Sequence, residues 1–104
     1  SQPLSIVVEF NNQYKNIVVL LLEDKVIAFE NSCPHQHRPS LHMGYVENDC
    51  IVCPEHGWSF DLNTGSSVNN RLSVSKLRFV DICIFDGIVF IDVDHIRNSR
   101  WNFT

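Results

Sequence analysis

Basic residues are scarce in this sequence. Eight lysines and arginines stand against twelve aspartates and glutamates, which gives a formal charge of −4 at pH 7. Because binding to nucleic acid requires a basic face, this balance argues against a nucleic-acid partner. It favours a protein partner whose surface carries basic patches.

Long apolar runs are also missing. The longest, such as residues 17–22, are far shorter than the roughly 20 residues that a membrane-spanning helix needs. No basic and then apolar leader opens the chain. We therefore expect a cytoplasmic protein that does not associate with a membrane.

Cysteine is limited to four residues, too few for a fold that depends on disulfides for its stability. Hydrophobic residues make up 44% of the chain and charged residues 19%, which is an ordinary globular composition. A chain of 104 residues is long enough for one modest core. The sequence thus predicts a single domain over residues 1–104.

Helical periodicity is absent outside the last ten residues, and β-branched residues are frequent in the apolar segments. Strands are predicted at residues 5–10, 17–23, 25–30, 51–52, 58–62, 77–85 and 88–93. Asp86-Gly87 separates the last two runs, and an Asp-Gly pair in that position is a strong hairpin signal. The predicted fold class is all-β, a small antiparallel sandwich or barrel of roughly seven to ten strands.

One cysteine and one histidine occur twice in the same order, first as C-P-H and then as C-P-E-H. Cys33, His35, Cys53 and His56 offer two thiolates and two imidazoles, a donor set that suits zinc or iron–sulfur chemistry. Structural zinc sites usually take like donors from one tight turn, whereas each loop here carries one donor of each kind. A pair of irons bridged by sulfides fits this split better, because each loop can direct its cysteine to one iron and its histidine to the other.

The chain closely resembles the Rieske iron–sulfur proteins. C-P-H is followed after seventeen residues by C-P-E-H-G-W-S-F-D-L-N-T-G, a highly specific motif. The resemblance extends over roughly residues 4–94, since strands precede the first loop and a hairpin follows the second, as in that family. It implies a cluster-binding subdomain of two loops, about residues 32–71, inserted in a basal β subdomain.

The resemblance also implies the cofactor and its ligands. One 2Fe–2S cluster per chain would be held by Cys33 and Cys53 on a buried iron. His35 and His56 would bind the outer iron, near the protein surface.

Four positions in and after these loops bear on the reduction potential. In high-potential Rieske proteins, two extra cysteines form a disulfide between the loops, and the corresponding residues here are Arg38 and Glu55. Those relatives also carry a serine and a tyrosine that donate hydrogen bonds to sulfur, where this chain has Trp58 and Phe60. Fewer hydrogen-bond donors to sulfur stabilise the reduced state less. We therefore expect a reduction potential in the lower half of the Rieske range of roughly −150 to +300 mV.

This pattern resembles the Rieske ferredoxins and the Rieske domains of ring-hydroxylating oxygenases, in which H-G-W-x-F-D is frequent. An oxygenase subunit would continue into a mononuclear-iron domain; if this chain is complete, we expect a one-electron carrier without substrate turnover of its own. It would pass electrons from a flavin-dependent reductase to a terminal oxygenase or another redox acceptor, through the surface around His35 and His56. We expect a monomer or a weak oligomer.

Three alternatives remain open. The chain could be the N-terminal Rieske domain of an oxygenase subunit. It could be similar to the small subunit of nitrite reductase, although such subunits often lack the cluster ligands that are present here. It could also be a zinc-stabilised binding module.

Other reactive side chains have simpler interpretations. Cys50 and Cys83 are expected to be small apolar side chains packed within strands. His37 and His42 are expected to be solvent-exposed residues of the first loop. The tail, residues 96–104, is expected either to cap the sandwich or to fray.

Overall fold

The computed structural model describes residues 3–10, 12–22, 25–34, 38–55, 57–69 and 75–91. Within them, eight strands form three antiparallel sheets. The strands are β1 Leu4–Phe10, β2 Gln13–Leu21, β3 Val26–Glu30, β4 Tyr45–Glu47, β5 Cys50–Val52, β6 Ser59–Asp61, β7 Ile82–Phe85 and β8 Ile88–Ile91, and a 3-10 helix covers Leu41–Met43. The predicted all-β fold class is confirmed. The described part of the chain contains no helix long and apolar enough to cross a membrane.

The first sheet has the order β1-β2-β3, and its central strand β2 is buried on both faces. Val18 and Leu20 alternate with Ile17 and Val19, so each pair faces a different group of buried residues. The first group, the main core, consists of Val18, Leu20, Phe29, Cys33, Leu41, Ile51, Cys53, Phe60, Leu62 and Leu77. The second, smaller core consists of Ile17, Val19, Ala28 and Val80. The cysteines of both predicted loops therefore belong to one core.

The second sheet, with the order β4-β5-β6, was predicted only in part, because the three residues of β4 are too few to show alternation. Its first hairpin turns at Asn48 and Asp49, whose φ angles of 53° and 61° match a type I′ turn. Gly44 precedes β4 in a close approach of two backbones. A Cβ atom on Gly44 would lie 2.1 Å from the carbonyl oxygen of Val52. Any larger residue there would force the strands apart beside Cys53.

The third sheet is the hairpin predicted at Asp86-Gly87, and it is confirmed. Both residues have positive φ angles, 54° and 76°, as a type I′ turn requires. The predicted strand at 77–85 is shorter than expected, because β7 begins only at Ile82. The expectation for Cys83 was wrong: its side chain is exposed, since it lies on the solvent side of this two-stranded sheet.

Residues 78–80 join the first sheet instead of extending β7. The Glu30 N–H donates to the carbonyl of Arg78 at 2.8 Å, and the Val80 N–H donates to the carbonyl of Ala28 at 2.9 Å. This short antiparallel contact lies beside the end of β3. It fixes the point from which the chain enters the first cysteine loop.

Candidate metal centre

Each of the two cysteine loops is closed by a backbone hydrogen bond at the equivalent position. The Cys33 N–H donates to the carbonyl of Arg38 at 2.8 Å, and the Cys53 N–H donates to the carbonyl of Trp58 at 2.7 Å. In both loops the bond joins a cysteine to the residue five positions later. His35 and His56 lie between the closing residues in sequence, but both are outside the described residues.

The two predicted cysteine ligands are brought into the same buried region. The side chain of Cys33 is fully buried, and that of Cys53 is 1% exposed. None of the four cysteines takes part in a disulfide, so neither predicted ligand is used in one. Two buried thiols on matching loops are soft donors shielded from water, and they fit the cysteine side of an iron–sulfur cluster.

Asn31 anchors the start of the first loop. Its N–H donates to the carbonyl of Asn16 at 2.9 Å, and its side-chain Nδ2 donates to Asn16 Oδ1 at 2.9 Å. Its Oδ1 accepts a hydrogen bond from the His42 N–H at 3.2 Å, while Nδ2 lies 2.9 Å from His42 Nδ1. Because Nδ2 can only donate, His42 Nδ1 serves as the acceptor in this contact. The expectation of an exposed His42 was wrong, since this half-buried side chain helps to fix the loop.

A buried carboxylate ends the strand before this loop. Glu30 is 6% exposed, and its Oε1 lies 3.2 Å from Lys15 Nζ. Its Oε2 lies 3.8 Å from Arg78 Nη1. A buried charge requires such partners, because its removal from water is costly. The ion pairs thereby connect β2, β3 and residue 78 at the base of the first loop.

Ser40 is a site residue that sequence reasoning missed. It is 3% exposed, and its Oγ lies 3.8 Å from Cys53 Sγ. Ser40 precedes the 3-10 helix, yet its hydroxyl makes no capping hydrogen bond to that helix. When Cys53 acts as a thiolate ligand, the hydroxyl can only donate to its sulfur. A serine shortly after the first motif was the available signal, but the partner lies in the other loop.

Cys50 differs from the two proposed cysteine ligands in its electrostatic surroundings. Its side chain is 8% exposed, as expected for a small packed residue. Burial, followed by the negative charges of Asp61 and Asp49, raises the pKa of the Cys50 thiol. Cys50 therefore stays protonated, which is the wrong state for a metal ligand.

Three further residues of the second loop were singled out from the sequence. Trp58 is half-buried and packs against the main core, while Phe60 is fully buried within it. Glu55 is exposed, and its Oε1 lies 3.5 Å from Arg38 Nη1 in the first loop. An ion pair thus occupies the two positions at which high-potential relatives would carry cysteines.

Comparison with known proteins gives consistent results. Residues 5–80 match the model of the Rieske [2Fe-2S] domain. The anthranilate 1,2-dioxygenase ferredoxin subunit of Burkholderia cepacia is 34% identical over 79 residues, covering 76% of this chain and 71% of the relative. The toluene-4-sulfonate monooxygenase system iron-sulfur subunit TsaM1 of Comamonas testosteroni is 42% identical over 55 residues, covering 50% of this chain but only 16% of that longer protein.

Among solved structures, the ferredoxin of Sphingomonas yanoikuyae B1 superposes with a TM-score of 0.68 and 27% identity. The superposition covers 88% of this chain and 87% of that protein. The Rieske-type fold, the 2Fe–2S cluster and the expected electron-carrier function are thereby confirmed. The two cysteine loops, the fold and the match of residues 5–80 to the family model together show that the chain belongs to the Rieske [2Fe-2S] domain family.

Proposed function

We propose that this chain is the ferredoxin component of an oxygenase system, taking single electrons from a flavin-dependent reductase and delivering them to a terminal oxygenase. The observation that carries the proposal is the pair of buried thiols, Cys33 and Cys53, on loops closed by equivalent hydrogen bonds. The similarity to a dioxygenase ferredoxin over most of both chains supports it. The cluster supplies one-electron chemistry at a potential tuned by its protein ligands and hydrogen bonds.

In this proposal, Cys33 and Cys53 would hold the inner iron and His35 and His56 would hold the outer iron. The buried cysteines keep one side of the site away from water, inside the main core. The two histidines then form the side at which a redox partner docks. Ser40 contributes by donating a hydrogen bond to the Cys53 sulfur, as its 3.8 Å separation allows.

The charge of the chain suits transient protein partners. Its formal charge of −4 favours encounter with basic surfaces on the reductase and the oxygenase. Such encounters are strengthened at low ionic strength and weakened by salt. We propose that the protein acts in the cytoplasm as a monomer or a weak oligomer, with the cluster-binding subdomain at about residues 32–71.

A direct test combines optical and EPR spectroscopy with metal analysis. We expect two irons and two sulfides per chain, a red-brown colour that partly bleaches with dithionite, and a rhombic EPR signal of the reduced state. Cys33→Ser and Cys53→Ser should abolish this signal, whereas Cys83→Ser, at an exposed cysteine, should leave it unchanged. A colourless protein holding one zinc would contradict the proposal and favour the binding-module alternative.

The second candidate function is the Rieske domain of a longer oxygenase subunit. The match to TsaM1 favours it, because that relative is far longer than the matched segment. Stopped-flow mixing of the reduced chain with a separately purified terminal oxygenase distinguishes the two. Reoxidation at a rate that depends on oxygenase concentration supports the carrier, and its failure supports the domain.

A further inference from the structure

The Arg38–Glu55 ion pair crosses between the two cysteine loops. Arg38 Nη1 lies 3.5 Å from Glu55 Oε1, and the Arg38 side chain is 68% exposed while that of Glu55 is 30% exposed. The carbonyl of Arg38 also accepts the hydrogen bond that closes the first loop. Glu55 directly precedes His56 in the second loop. The pair therefore joins the two loops, and Glu55 is the sequence neighbour of a proposed histidine ligand.

These loops arise from different sheets. The first follows β3 of the first sheet, and the second connects β5 and β6 of the second sheet. On the buried side, the contact between Ser40 and Cys53 already links them. On the exposed side, Arg38 and Glu55 supply a second link, so two contacts join the loops, one buried and one exposed.

The two charges have opposite effects on a nearby redox centre. A positive charge favours the reduced state, which carries one more electron, and a negative charge disfavours it. Arg38 and Glu55 carry opposite charges 3.5 Å apart, so their effects on the midpoint potential oppose each other. Removing either one leaves the other uncompensated, so the sign of the change in potential identifies which charge was lost.

We propose that Arg38 and Glu55 form an electrostatic clasp that retains the 2Fe–2S cluster and balances its reduction potential. Both are positioning residues: they act by holding the two loops together, and they do not bind the metal. The inference rests on the proposed ligand set. It adds a link between the loops that can be broken and rebuilt while every ligand stays in place.

The test uses Arg38→Gln, Glu55→Gln, the double variant, and the exchanged variant Arg38→Glu/Glu55→Arg in the cluster-loaded protein. Two quantities are measured: the rate of cluster loss, from the decay of visible absorbance in the presence of an iron chelator, and the midpoint potential, by spectroelectrochemistry. Lys25→Gln and Asp86→Asn are matched controls. Each removes one charge of the same sign as Arg38 or Glu55, but at a hairpin turn away from both loops.

Each single variant should lose its cluster about two- to five-fold faster than wild type, the range expected for an exposed ion pair. The midpoint should fall in Arg38→Gln and rise in Glu55→Gln. The double variant should lose its cluster no faster than the single variants and keep a midpoint near wild type. The exchanged variant should lose its cluster as slowly as wild type. About 1 M salt should reduce the differences in cluster-loss rate and midpoint potential between the single variants and wild type.

The clasp would be refuted if the two single effects on cluster loss added up in the double variant, or if the exchanged variant failed to restore retention. Equal shifts in the two controls would refute it as well, because they would show a simple effect of net charge. Loss of the 2Fe–2S spectrum from the wild-type protein would instead overturn the proposed function. A wild-type cluster with unchanged single variants would overturn only the clasp.

Discussion

Replacing Ser40 with alanine should lower the midpoint potential of the cluster. The Ser40 hydroxyl is buried, is not used to cap the adjacent 3-10 helix, and lies 3.8 Å from Cys53 Sγ. A donor to a ligand sulfur stabilises the reduced state more than the oxidised state, because reduction increases negative charge on the sulfurs. Alanine removes the donor with little change in volume.

The size of the shift follows from the geometry. Hydrogen bonds to charged groups contribute about 1.5–3 kcal/mol, and the long oxygen–sulfur distance reduces this. The potential depends only on how much stronger this hydrogen bond is in the reduced state than in the oxidised state. We take this difference in free energy as about 0.5–1 kcal/mol. Since a tenfold change in a one-electron equilibrium is about 59 mV, the midpoint should fall by about 20–40 mV.

The measurement is an optical redox titration of the cluster-loaded variants, with thermal unfolding followed in parallel. Ser40→Thr keeps the hydroxyl and should stay near wild type, and Ser5→Ala removes an exposed hydroxyl of β1 that bonds to Asn16. A midpoint for Ser40→Ala equal to that of wild type would refute the reasoning. So would a fall of the same size in Ser40→Thr, because the hydroxyl would then have no role.

Three further outcomes can be checked. Gly44→Ala should lower the free energy of unfolding by about 1–3 kcal/mol in a denaturant titration, because its Cβ would meet the carbonyl oxygen of Val52 at 2.1 Å; an unchanged midpoint would contradict this. Asn31→Ala should cost about 1–3 kcal/mol, since it leaves buried partners without hydrogen bonds, and equal stability would argue against the anchor. Mass spectrometry after iodoacetamide treatment at pH 8 should find Cys83 alkylated in the folded protein and Cys50 alkylated only after unfolding. Cys83 is exposed, whereas burial and neighbouring carboxylates raise the pKa of Cys50. Similar alkylation rates for the two thiols in the folded protein would refute this.

Local signals predicted much of the structure. The Asp86-Gly87 hairpin was predicted because its turn type depends on two residues that tolerate positive φ. The two cysteine loops were predicted because the donor types and their spacing meet a chemical requirement that few sequences satisfy. Strand β4 was missed, since three residues are too few to display alternation, and the turn at Asn48 and Asp49 that follows it was not predicted.

Contacts between distant segments were not predictable in the same way. The approach of Ser40 to Cys53 and the Arg38–Glu55 pair join residues that are 13 and 17 positions apart. They depend on how two sheets pack, which no local pattern specifies. Cys83 was misjudged for the same reason: an apolar neighbourhood in sequence does not determine which face of a hairpin is covered.

The attachment of the two proposed cysteine ligands to separate sheets has a consequence for maturation of the protein. A metal centre bound to Cys33 and Cys53 crosslinks two positions about 20 residues apart, and a comparable disulfide contributes about 3 kcal/mol by restricting the unfolded chain. We expect the local hairpins to form early and cluster insertion to lock the two halves together last. The apoprotein would then be the form most exposed to proteolysis, so iron supply would govern the lifetime of this protein as well as its capacity to carry electrons.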